Sequence, residues 1–423
     1  MRIVRGDRGT LVEYVQLALQ RAGNPLVVDG VFGEATCKAL AVFTAKEEGE
    51  ECVVDDGVWE MLAPYLRGTL NYEVQPGDSF YEIAARHHIS MQSLMTANPG
   101  VGPLYLIPGM PLTVPLPFPV VPQNVAYSSF LMRYLIEGLA ARYSFLQTGS
   151  IGQSVLKNEL WYVRIGSGER ELFYSAAYHA NEWITTPLIL RFVEEYAQAY
   201  ETGKRIGGVD AKWLFDNYSL YIVPMVNPDG VDLVNGQPID EEAYGRAREI
   251  AAAYPAIPFP DGWKANIEGI DLNLQFPAGW EEAKRIKYAQ GYTSPAPRDY
   301  VGEAPLTAPE STAVYNFTLE HNFRLILAYH TQGEVIYWKY KDYEPERSYD
   351  IAQYFGAVSG YAVEETPAES GNAGYKDWFI MTYDRPGYTI EAGMGQNPLP
   401  LSELPGMYEA NLGIFVGGMI QTG

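Results

Sequence analysis

Two histidines and two glutamates occupy positions from which their side chains could meet at one metal ion. His179 directly follows an apolar run, with Glu182 three residues later; His330 follows a second such run, and Glu391 ends a third. A catalytic zinc ion takes three protein ligands, for which imidazole and carboxylate are suited, and keeps one position open for water. The ion lowers the pKa of that water, and a further carboxylate must accept its proton.

The apolar runs that lead to these residues are typical of β-strands. They alternate with helical patterns from about residue 124 onward, which predicts an α/β domain. The expected strands are residues 159–166, 171–178, 220–225, 324–329 and 388–391. Loops at the carboxyl ends of strands build the binding site in open α/β sheets.

Each of these signals is weak when it is taken alone. An H-x-x-E pair is common by chance, and a histidine at a strand end is usually a packing residue. His321 lies in a helical pattern and is interpreted as structural. The adjacent His87 and His88 point about 100° apart on a helix, so they are not expected to share a metal ion.

Five motifs together resemble the carboxypeptidase A-like zinc peptidases, in that family's order, across most of residues 150–400. They are H-x-x-E at His179 and Glu182, N-P-D-G at residues 227–230, G-x-D-x-N at residues 269–273, and the strand-end residues His330 and Glu391. The resemblance implies an α/β fold with a mixed sheet for residues 124–423. It also implies one Zn²⁺ per chain, held by His179, Glu182 and His330.

The same resemblance assigns roles to residues around the metal. Glu391 is implied as the general base that activates water and passes its proton to the leaving amine. Asp271 is implied to orient the imidazole of His179, since such a partner fixes the ring's tautomer. A buried, purely structural aspartate is the alternative for Asp271. The turn at residues 227–230 is expected to shape the backbone under the site.

Two positions depart from the family's pattern. Lys264 stands where the family has an arginine that polarises the scissile carbonyl; a lysine supplies charge without the planar two-pronged geometry. A surface lysine without a role is the alternative. Asn273 is expected to contact substrate, but Leu274 follows it where carboxypeptidases have an arginine that clamps the terminal carboxylate. The need for a free C-terminus is therefore expected to be relaxed.

The stretch from Trp263 to Ala278 resembles one branch of the family, the γ-D-glutamyl-L-diamino acid endopeptidases. These enzymes cut between D-glutamate and the diamino acid, diaminopimelate or lysine, of peptidoglycan stem peptides, and the resemblance implies that bond as the substrate. Two alternatives stay open. One is a carboxypeptidase that trims ordinary peptides, and the other is an inactive wall-binding protein whose metal site has decayed.

Residues 1–68 predict a small helical module. Apolar residues recur at helical spacing in residues 11–20, and a second helix is expected from Glu34 to Lys46. The turn V-D-G-x-F-G at residues 28–33 and the T-x-x-A-x-x-x-F pattern after it resemble the peptidoglycan-binding three-helix domain. A generic helical bundle is the alternative.

Residues 71–116 predict a β-α-α-β order, with helices around residues 79–87 and 90–97. The patterns Y-x-V-x-x-G-D-S and P-G-x-x-L-x-V, at residues 72–79 and 108–114, resemble a LysM module. Such modules bind N-acetylglucosamine chains through two loops. That implies glycan contacts by Gly77, Asp78, Ser79, Phe80, Leu106 and Ile107. A Pro-rich linker, residues 117–123, is expected before the catalytic domain.

Composition limits the classes of partner. The 423 residues carry a net charge of −22, which argues against nucleic acid, because phosphate binding needs clustered lysine and arginine. Prolines interrupt the most apolar stretch, residues 103–122, so no membrane span is expected. Cys37 and Cys52 are interpreted as buried thiols, with a disulfide as the alternative.

No signal peptide is visible at the N-terminus. The resembled branch includes spore-associated enzymes that lack a signal, which implies synthesis in the cytoplasm and action on spore or cell-wall peptidoglycan. A leader that has been removed from the chain is the alternative. The expected partners are the glycan strands and stem peptides of that polymer.

Overall fold

The structure is a computed structural model that describes residues 2–45 and 52–422. The chain divides into two compact units. The first comprises Met1–Gln147, Ala197–Lys204 and Asn235–Gln237, and the second comprises Thr148–Tyr196, Arg205–Val234 and Pro238–Gly423. The expected start of the catalytic domain at residue 124 lies inside the first unit, and the domain boundaries stay a prediction.

Three helices and one strand pair form the amino-terminal part of the first unit. They are β1 (Ile3–Val4), α1 (Thr10–Arg21), α2 (Glu34–Thr44), β2 (Val53–Val54) and α3 (Asp56–Arg67). The start of α3 is capped by Asp55, whose carboxylate accepts a hydrogen bond from the Val58 N–H at 3.0 Å. The helix ends at Gly68, in the left-handed conformation with φ of 72°. The expected end of α2 at Lys46 lies outside the described residues.

Cys37 and Cys52 form a disulfide, so their interpretation as two buried thiols is wrong. Cys37 lies on α2, Cys52 immediately precedes β2, and their Cα atoms are 5.6 Å apart. The pairing of β2 with β1 fixes the position of Cys52, the residue that immediately precedes β2. That strand pair is only two residues long on each side, which is too short for a sequence pattern to predict.

Residues 69–115 have the predicted β-α-α-β order. The elements are β3 (Thr69–Glu73), α4 (Phe80–Arg86), α5 (Met91–Ala97) and β4 (Pro111–Pro115). The two strands pair antiparallel, with Leu70 opposite Val114. The small core between strands and helices includes Val74, Phe80, Ile83, Leu94 and Leu112.

The Pro-rich segment at residues 117–123 is packed against its own unit. Val120 is fully buried. Arg142, the last residue of α6 (Ser129–Arg142), donates a hydrogen bond to the carbonyl of Phe118 at 2.6 Å. The segment is therefore anchored within the first unit by contacts on its backbone and side chains.

An eight-stranded mixed sheet forms the centre of the second unit. The strands from residue 147 onward are β5 (Gln147–Gln153), β6 (Glu159–Ile165), β7 (Arg170–Ala176), β8 (Arg205–Ile206), β9 (Val209–Asp210), β10 (Tyr218–Val223), β11 (Ile326–His330), β12 (Val335–Tyr337), β13 (Ala362–Glu364) and β14 (Gly387–Glu391). The order across the sheet is β13-β12-β14-β11-β7-β10-β6-β5, and β8 pairs with β9 separately. The neighbours from β14 to β10 are parallel, whereas β6 and β12 run antiparallel to their partners β10 and β14.

Helices connect these strands, as parallel neighbours require, and a final helix follows the last strand. They are α7 (Thr185–Glu201), α8 (Ala211–Asn217), α9 (Pro228–Val234), α10 (Glu241–Ala252), α11 (Trp280–Ala289), α12 (Pro309–Leu319), α13 (Ser348–Ser359), α14 (Tyr375–Tyr383) and α15 (Leu404–Ile420). Within the described residues, no helix combines the length and the apolar composition that crossing a bilayer requires. The predicted α/β fold with a mixed sheet is confirmed.

The central strands are the ones that the sequence predicted. All residues of β10 and β11 are buried, and strands covered on both faces are near-continuous apolar runs. The observed bounds differ from the expected ones by a few residues. The edge strand β5, the β8–β9 pair and the three-residue strands β12 and β13 were not predicted.

Candidate metal centre and substrate cleft

His179 and Glu182 lie on one turn that follows β7. The backbone turns at Ala177, which has a left-handed conformation with φ of 52°. Thr185 Oγ1 accepts a hydrogen bond from the Ala177 N–H at 3.0 Å and donates one to the Glu182 carbonyl at 2.8 Å. The short 3₁₀ helix Ala180–Glu182 then returns Glu182 to the side of His179.

His330, the last residue of β11, meets this turn because β11 is the neighbour of β7 in the sheet. His330 Nδ1 lies 3.2 Å from His179 Nδ1 and 3.0 Å from Glu182 Oε2. His179 Nδ1 is 3.0 Å from Glu182 Oε1. One ligand atom from each residue lies within 4.8 Å of the others, and all three residues are buried. The structure thus brings together the three predicted metal ligands.

This set of donor atoms fits a zinc ion. Two imidazole nitrogens and a carboxylate converge on one small volume, and three such ligands are the set that catalytic zinc sites use. The Thr331 N–H donates to Glu182 Oε2 at 3.3 Å and helps to hold the carboxylate.

Asp271 holds the opposite side of the His179 ring. Its Oδ1 lies 3.1 Å from His179 Nε2, so a proton on Nε2 leaves the Nδ1 lone pair for the metal position. The Asp271 carboxylate also accepts hydrogen bonds from the backbone N–H groups of Asn273 and Asp299, at 3.2 and 3.1 Å. These contacts fix the carboxylate and support its predicted orienting role.

Opposite charges offset the cost of burial in this cluster. Burial lowers the pKa of His179, but the carboxylates of Glu182 and Asp271 reverse this and raise the pKa to about 9. Burial raises the pKa of Glu182, but His179 and Lys264 lower it well below its usual value. Glu182 is therefore ionised, as a carboxylate that ligates a metal must be.

Lys264 is a buried member of the cluster. Its Nζ lies 2.7 Å from Glu182 Oε1, and only 16% of its side chain is exposed. Burial lowers the pKa of Lys264, but the Glu182 carboxylate raises it above the usual value, so the ammonium group stays charged. The Lys264 carbonyl accepts a hydrogen bond from the Ala180 N–H at 3.0 Å, which ties the lysine to the metal-binding turn.

The N-P-D-G turn lies under the same segments. Asn227 Nδ2 donates to the carbonyls of Tyr178 and Ala265, at 3.1 and 3.0 Å. These carbonyls belong to the residues next to His179 and Lys264. Asn227 therefore joins the two segments through their backbones, which supports the expectation that this turn shapes the site.

Glu391 ends β14, and its register partner on β11 is His330. Paired residues on adjacent strands have side chains on the same face of the sheet. Burial, together with the negative charge of Glu182, raises the pKa of Glu391 to about 8. A carboxyl group with such a raised pKa is suited to take and return a proton near neutral pH.

A cleft of about 180 Å³ opens beside His179, Lys264 and Glu391. Leu274 lines it with an apolar side chain. Asn273 also lines it, but its Oδ1 accepts a hydrogen bond from the Tyr375 N–H at 3.1 Å, at the start of α14. The amide oxygen of Asn273 thus caps a helix. The contact with substrate that is predicted for Asn273 would therefore be made by its amide nitrogen.

Residues 132–412 match the zinc carboxypeptidase family, and residues 72–115 match the LysM domain. The chain belongs to the zinc carboxypeptidase family. A gamma-D-glutamyl-L-diamino acid endopeptidase 1 from Lysinibacillus sphaericus is 46% identical over 300 residues, which cover 70% of this chain and 72% of that protein. An uncharacterised protein of Bacillus subtilis is 39% identical over 297 residues, 70% of this chain and 77% of that protein.

The carboxypeptidase A of Helicoverpa armigera has the same fold, with a TM-score of 0.54 at 18% identity over 70% of this chain and 73% of that one. Membership of the zinc carboxypeptidase family confirms the resemblance drawn from the five motifs. Zinc is the metal of this family, and the His179, Glu182 and His330 cluster provides the donor atoms for it.

Five charged residues of the zinc carboxypeptidase cleft were not predicted from the sequence. They are Lys287, Arg298, Asp299, Lys376 and Asp377. Lys287 lies on helix α11, Lys376 and Asp377 lie on helix α14, and the Arg298-Asp299 pair lies in a loop. None of these positions is part of a motif or follows a predicted strand, so the sequence carried no signal for them.

The first predicted glycan loop of the LysM domain is a tight turn. Gly77 has a φ of 89°, and the Asp78 carboxylate accepts hydrogen bonds from the Tyr72 hydroxyl at 2.6 Å and from a backbone N–H at 2.8 Å. Ser79 caps α4 through its side chain. Phe80 is only 1% exposed and packs in the core. A buried ring cannot contact a sugar, so the predicted glycan contact of the Phe80 side chain is not compatible with the structure.

The second loop presents apolar side chains to solvent. Leu104, Tyr105 and Ile107 are 90%, 76% and 64% exposed, whereas Leu106 packs against the core. Exposed apolar groups in one loop suit the apolar faces of sugar rings. The glycan contact of this loop therefore stays a prediction that centres on Ile107.

The remaining histidines lie away from the metal cluster. His321 Nδ1 is 3.2 Å from Glu171 Oε1, and its ring stacks on Phe323. His87 packs edge-on against Tyr72. These contacts agree with their interpretation as packing residues.

Proposed function

We propose that this protein hydrolyses the amide bond between γ-D-glutamate and a diamino acid, diaminopimelate or lysine, in peptidoglycan stem peptides. The observation that carries the proposal is the buried cluster of His179, Glu182 and His330 in a chain 46% identical to an endopeptidase named for that bond. The apolar Leu274 in the cleft adds support, since it cannot clamp the terminal carboxylate of an ordinary peptide.

Each residue of the site has a place in this reaction. When bound, zinc polarises the scissile carbonyl and makes water acidic enough to lose its proton near neutral pH. Glu391 takes that proton and delivers it to the amine of the leaving diamino acid. Lys264, buried and charged, stabilises the negative charge that develops on the carbonyl oxygen. Asp271 keeps His179 in the tautomer that binds metal.

The amino-terminal modules suit an insoluble substrate. We propose that the LysM domain, and the three-helix module with it, bind glycan strands of spore or cell-wall peptidoglycan. Attachment to the polymer raises the local concentration of stem peptides at the active site without any new contact there. The partners are then the glycan strand and its peptides.

Mass spectrometry of defined muropeptides tests the proposal. The substrate is L-Ala-γ-D-Glu-diaminopimelate, incubated with the zinc-loaded protein and with the protein after chelation. Release of free diaminopimelate, lost on chelation and restored by added zinc, is the expected result. Stepwise trimming of ordinary L-peptides with no cut in the muropeptide would instead identify a carboxypeptidase, and no cleavage of either substrate would identify a wall-binding protein.

A further inference from the structure

Four cationic side chains line the cleft, and each of them has an ionic partner within the protein. Lys264 pairs with Glu182, Lys287 with Asp299 and Lys376 with Asp377. Lys376 is held further by the Lys339 carbonyl at 2.7 Å, and it is only 3% exposed. The Lys287 and Lys376 ammonium groups are committed to these protein partners, and Lys264 is the cation that the proposed function assigns to the scissile carbonyl oxygen.

Arg298, the fourth cation, is different because only one of its nitrogens is used. Its Nε donates to Asp299 Oδ2 at 2.6 Å. The two terminal nitrogens have no hydrogen-bond partner among the described residues, while the side chain lines the cleft with 44% of its surface exposed. A guanidinium held at Nε and open at its terminal nitrogens can form two parallel hydrogen bonds to a carboxylate.

The anchor of Arg298 is itself fixed. Lys287 Nζ lies 2.5 Å from Asp299 Oδ1, so the Asp299 carboxylate is shared between a lysine and the arginine. The Asp299 N–H donates to Asp271 Oδ2 at 3.1 Å, and Asp271 in turn holds His179. Arg298 is therefore connected to the metal-binding turn through a short chain of hydrogen bonds.

The backbone before Arg298 is joined to the site as well. The Pro297 carbonyl accepts hydrogen bonds from the N–H groups of Lys264 and Ala265, at 2.7 and 2.9 Å. The position of the guanidinium relative to Lys264 is thus set by the fold before substrate arrives. Such preorganisation is what a specificity residue needs.

We propose that Arg298 binds the α-carboxylate of the D-glutamate residue on the acyl side of the scissile bond; this rests on the proposed function. A γ-linked glutamate keeps its α-carboxylate free, two methylene groups and one Cα away from the carbonyl that is attacked. An ordinary peptide has no carboxylate at that place. Arg298 then selects γ-glutamyl substrates by charge.

Three peptides and three variants test this assignment. Two peptides are L-Ala-γ-D-Glu-diaminopimelate and its α-amide, with isoglutamine in place of glutamate, and the third has lysine in place of diaminopimelate. Arg298→Gln should raise KM for the carboxylate peptide about 10- to 100-fold, the worth of a charge-assisted pair, and change kcat little. For the amide peptide, wild type and Arg298→Gln should have the same KM within about threefold. The KM of Arg298→Lys for the carboxylate peptide should lie between the values for wild type and Arg298→Gln. Lysine restores the charge but not the two-pronged geometry of the guanidinium.

Arg285→Gln is the matched control, since Arg285 is an exposed arginine on α11 that pairs with Glu282 outside the cleft. A binding measurement supplements the kinetics: the dipeptide L-Ala-D-Glu should inhibit wild type, and Arg298→Gln should weaken that inhibition about tenfold or more. Thermal melts check that the variants fold.

Three outcomes overturn the assignment. An equal change of KM on the carboxylate peptide and its α-amide would show that Arg298 does not sense the α-carboxylate. An effect that disappears when lysine replaces diaminopimelate would assign Arg298 to the leaving diamino acid instead. If zinc-loaded wild type cuts none of the peptides, the proposed function itself fails, and this inference fails with it.

Discussion

His330 and Glu391 are paired residues at the ends of two adjacent parallel strands, β11 and β14. His330 is a predicted metal ligand and Glu391 is the predicted general base. Because the two residues are paired on adjacent strands, the hydrogen-bonded register of the sheet sets the separation of their backbones. Glu391→Gln keeps the shape of the side chain but removes its ability to accept a proton. We expect kcat to fall about 10²- to 10⁴-fold, the usual worth of a general base, with zinc content unchanged.

Zinc content by plasma mass spectrometry and turnover of the muropeptide measure the two effects separately. Glu364→Gln, an exposed carboxylate on β13, is the control and should behave as wild type. Turnover of Glu391→Gln within about threefold of wild type would mean that another group takes the proton.

Asp271 should set the affinity for zinc through His179. Removal of its carboxylate in Asp271→Ala leaves the ring without the partner at 3.1 Å, and we expect zinc affinity to fall about 10- to 100-fold. The loss of zinc affinity should be smaller in Asp271→Asn, which keeps a hydrogen-bond acceptor but removes the charge. Competition with a chromogenic chelator measures both. Wild-type affinity in Asp271→Ala would leave Asp271 with a structural role only.

Glu310 should make stability depend on pH. Burial raises its pKa from 4.5 to about 7, although hydrogen bonds from Val155 and Asn266 oppose this. Between these two pH values the folded protein binds a proton that the unfolded chain has lost. The contribution of Glu310 to the free energy of unfolding should therefore be highest below about pH 4.5 and fall by about 3 kcal/mol as pH rises through 7.

Urea unfolding at pH 5, 6, 7 and 8 checks this dependence in wild type and Glu310→Gln. The variant cannot lose the proton, so its stability relative to wild type should rise with pH. Glu303→Gln, at an exposed carboxylate of the same unit, should show no such trend. A constant difference between Glu310→Gln and wild type across the four pH values would contradict the assignment.

Ile107 should contribute to wall binding. Ile107→Asp places a charge on an exposed apolar loop of the LysM domain, and we expect about a tenfold loss of affinity for purified peptidoglycan in a pelleting assay. Cleavage of a soluble muropeptide should be unchanged, since that substrate does not need the glycan contact. Leu319→Asp, at a leucine that is 53% exposed on α12, is the control. Equal losses in the two variants would indicate a non-specific effect of charge.

The sequence predicted the residues whose signals are local. His179 and His330 follow long buried strands, and Glu182 lies within the same short motif as His179, so each could be found from a few neighbouring residues. The LysM helices were likewise expected within one residue of their bounds, because Ser79 and Ser90 cap them.

The parts that were not predicted depend on contacts between distant segments. Arg298 faces the cleft because Asp299, Lys287 and the Pro297 carbonyl hold it there, and none of these contacts leaves a periodic pattern. Phe80 was assigned to a binding loop because of the motif before it, but it is the first residue of α4 and faces the core. Local sequence patterns could not show that the Arg298 side chain faces the cleft or that the Phe80 side chain faces the core.

The bond between Cys37 and Cys52 turns the stretch from one cysteine to the other into a covalent ring. A protease that cuts the ring once therefore cannot release the residues before it, and α1 stays attached to the rest of the chain. Such a nicked protein would keep its full mass until a reductant is added, and only then separate into two fragments.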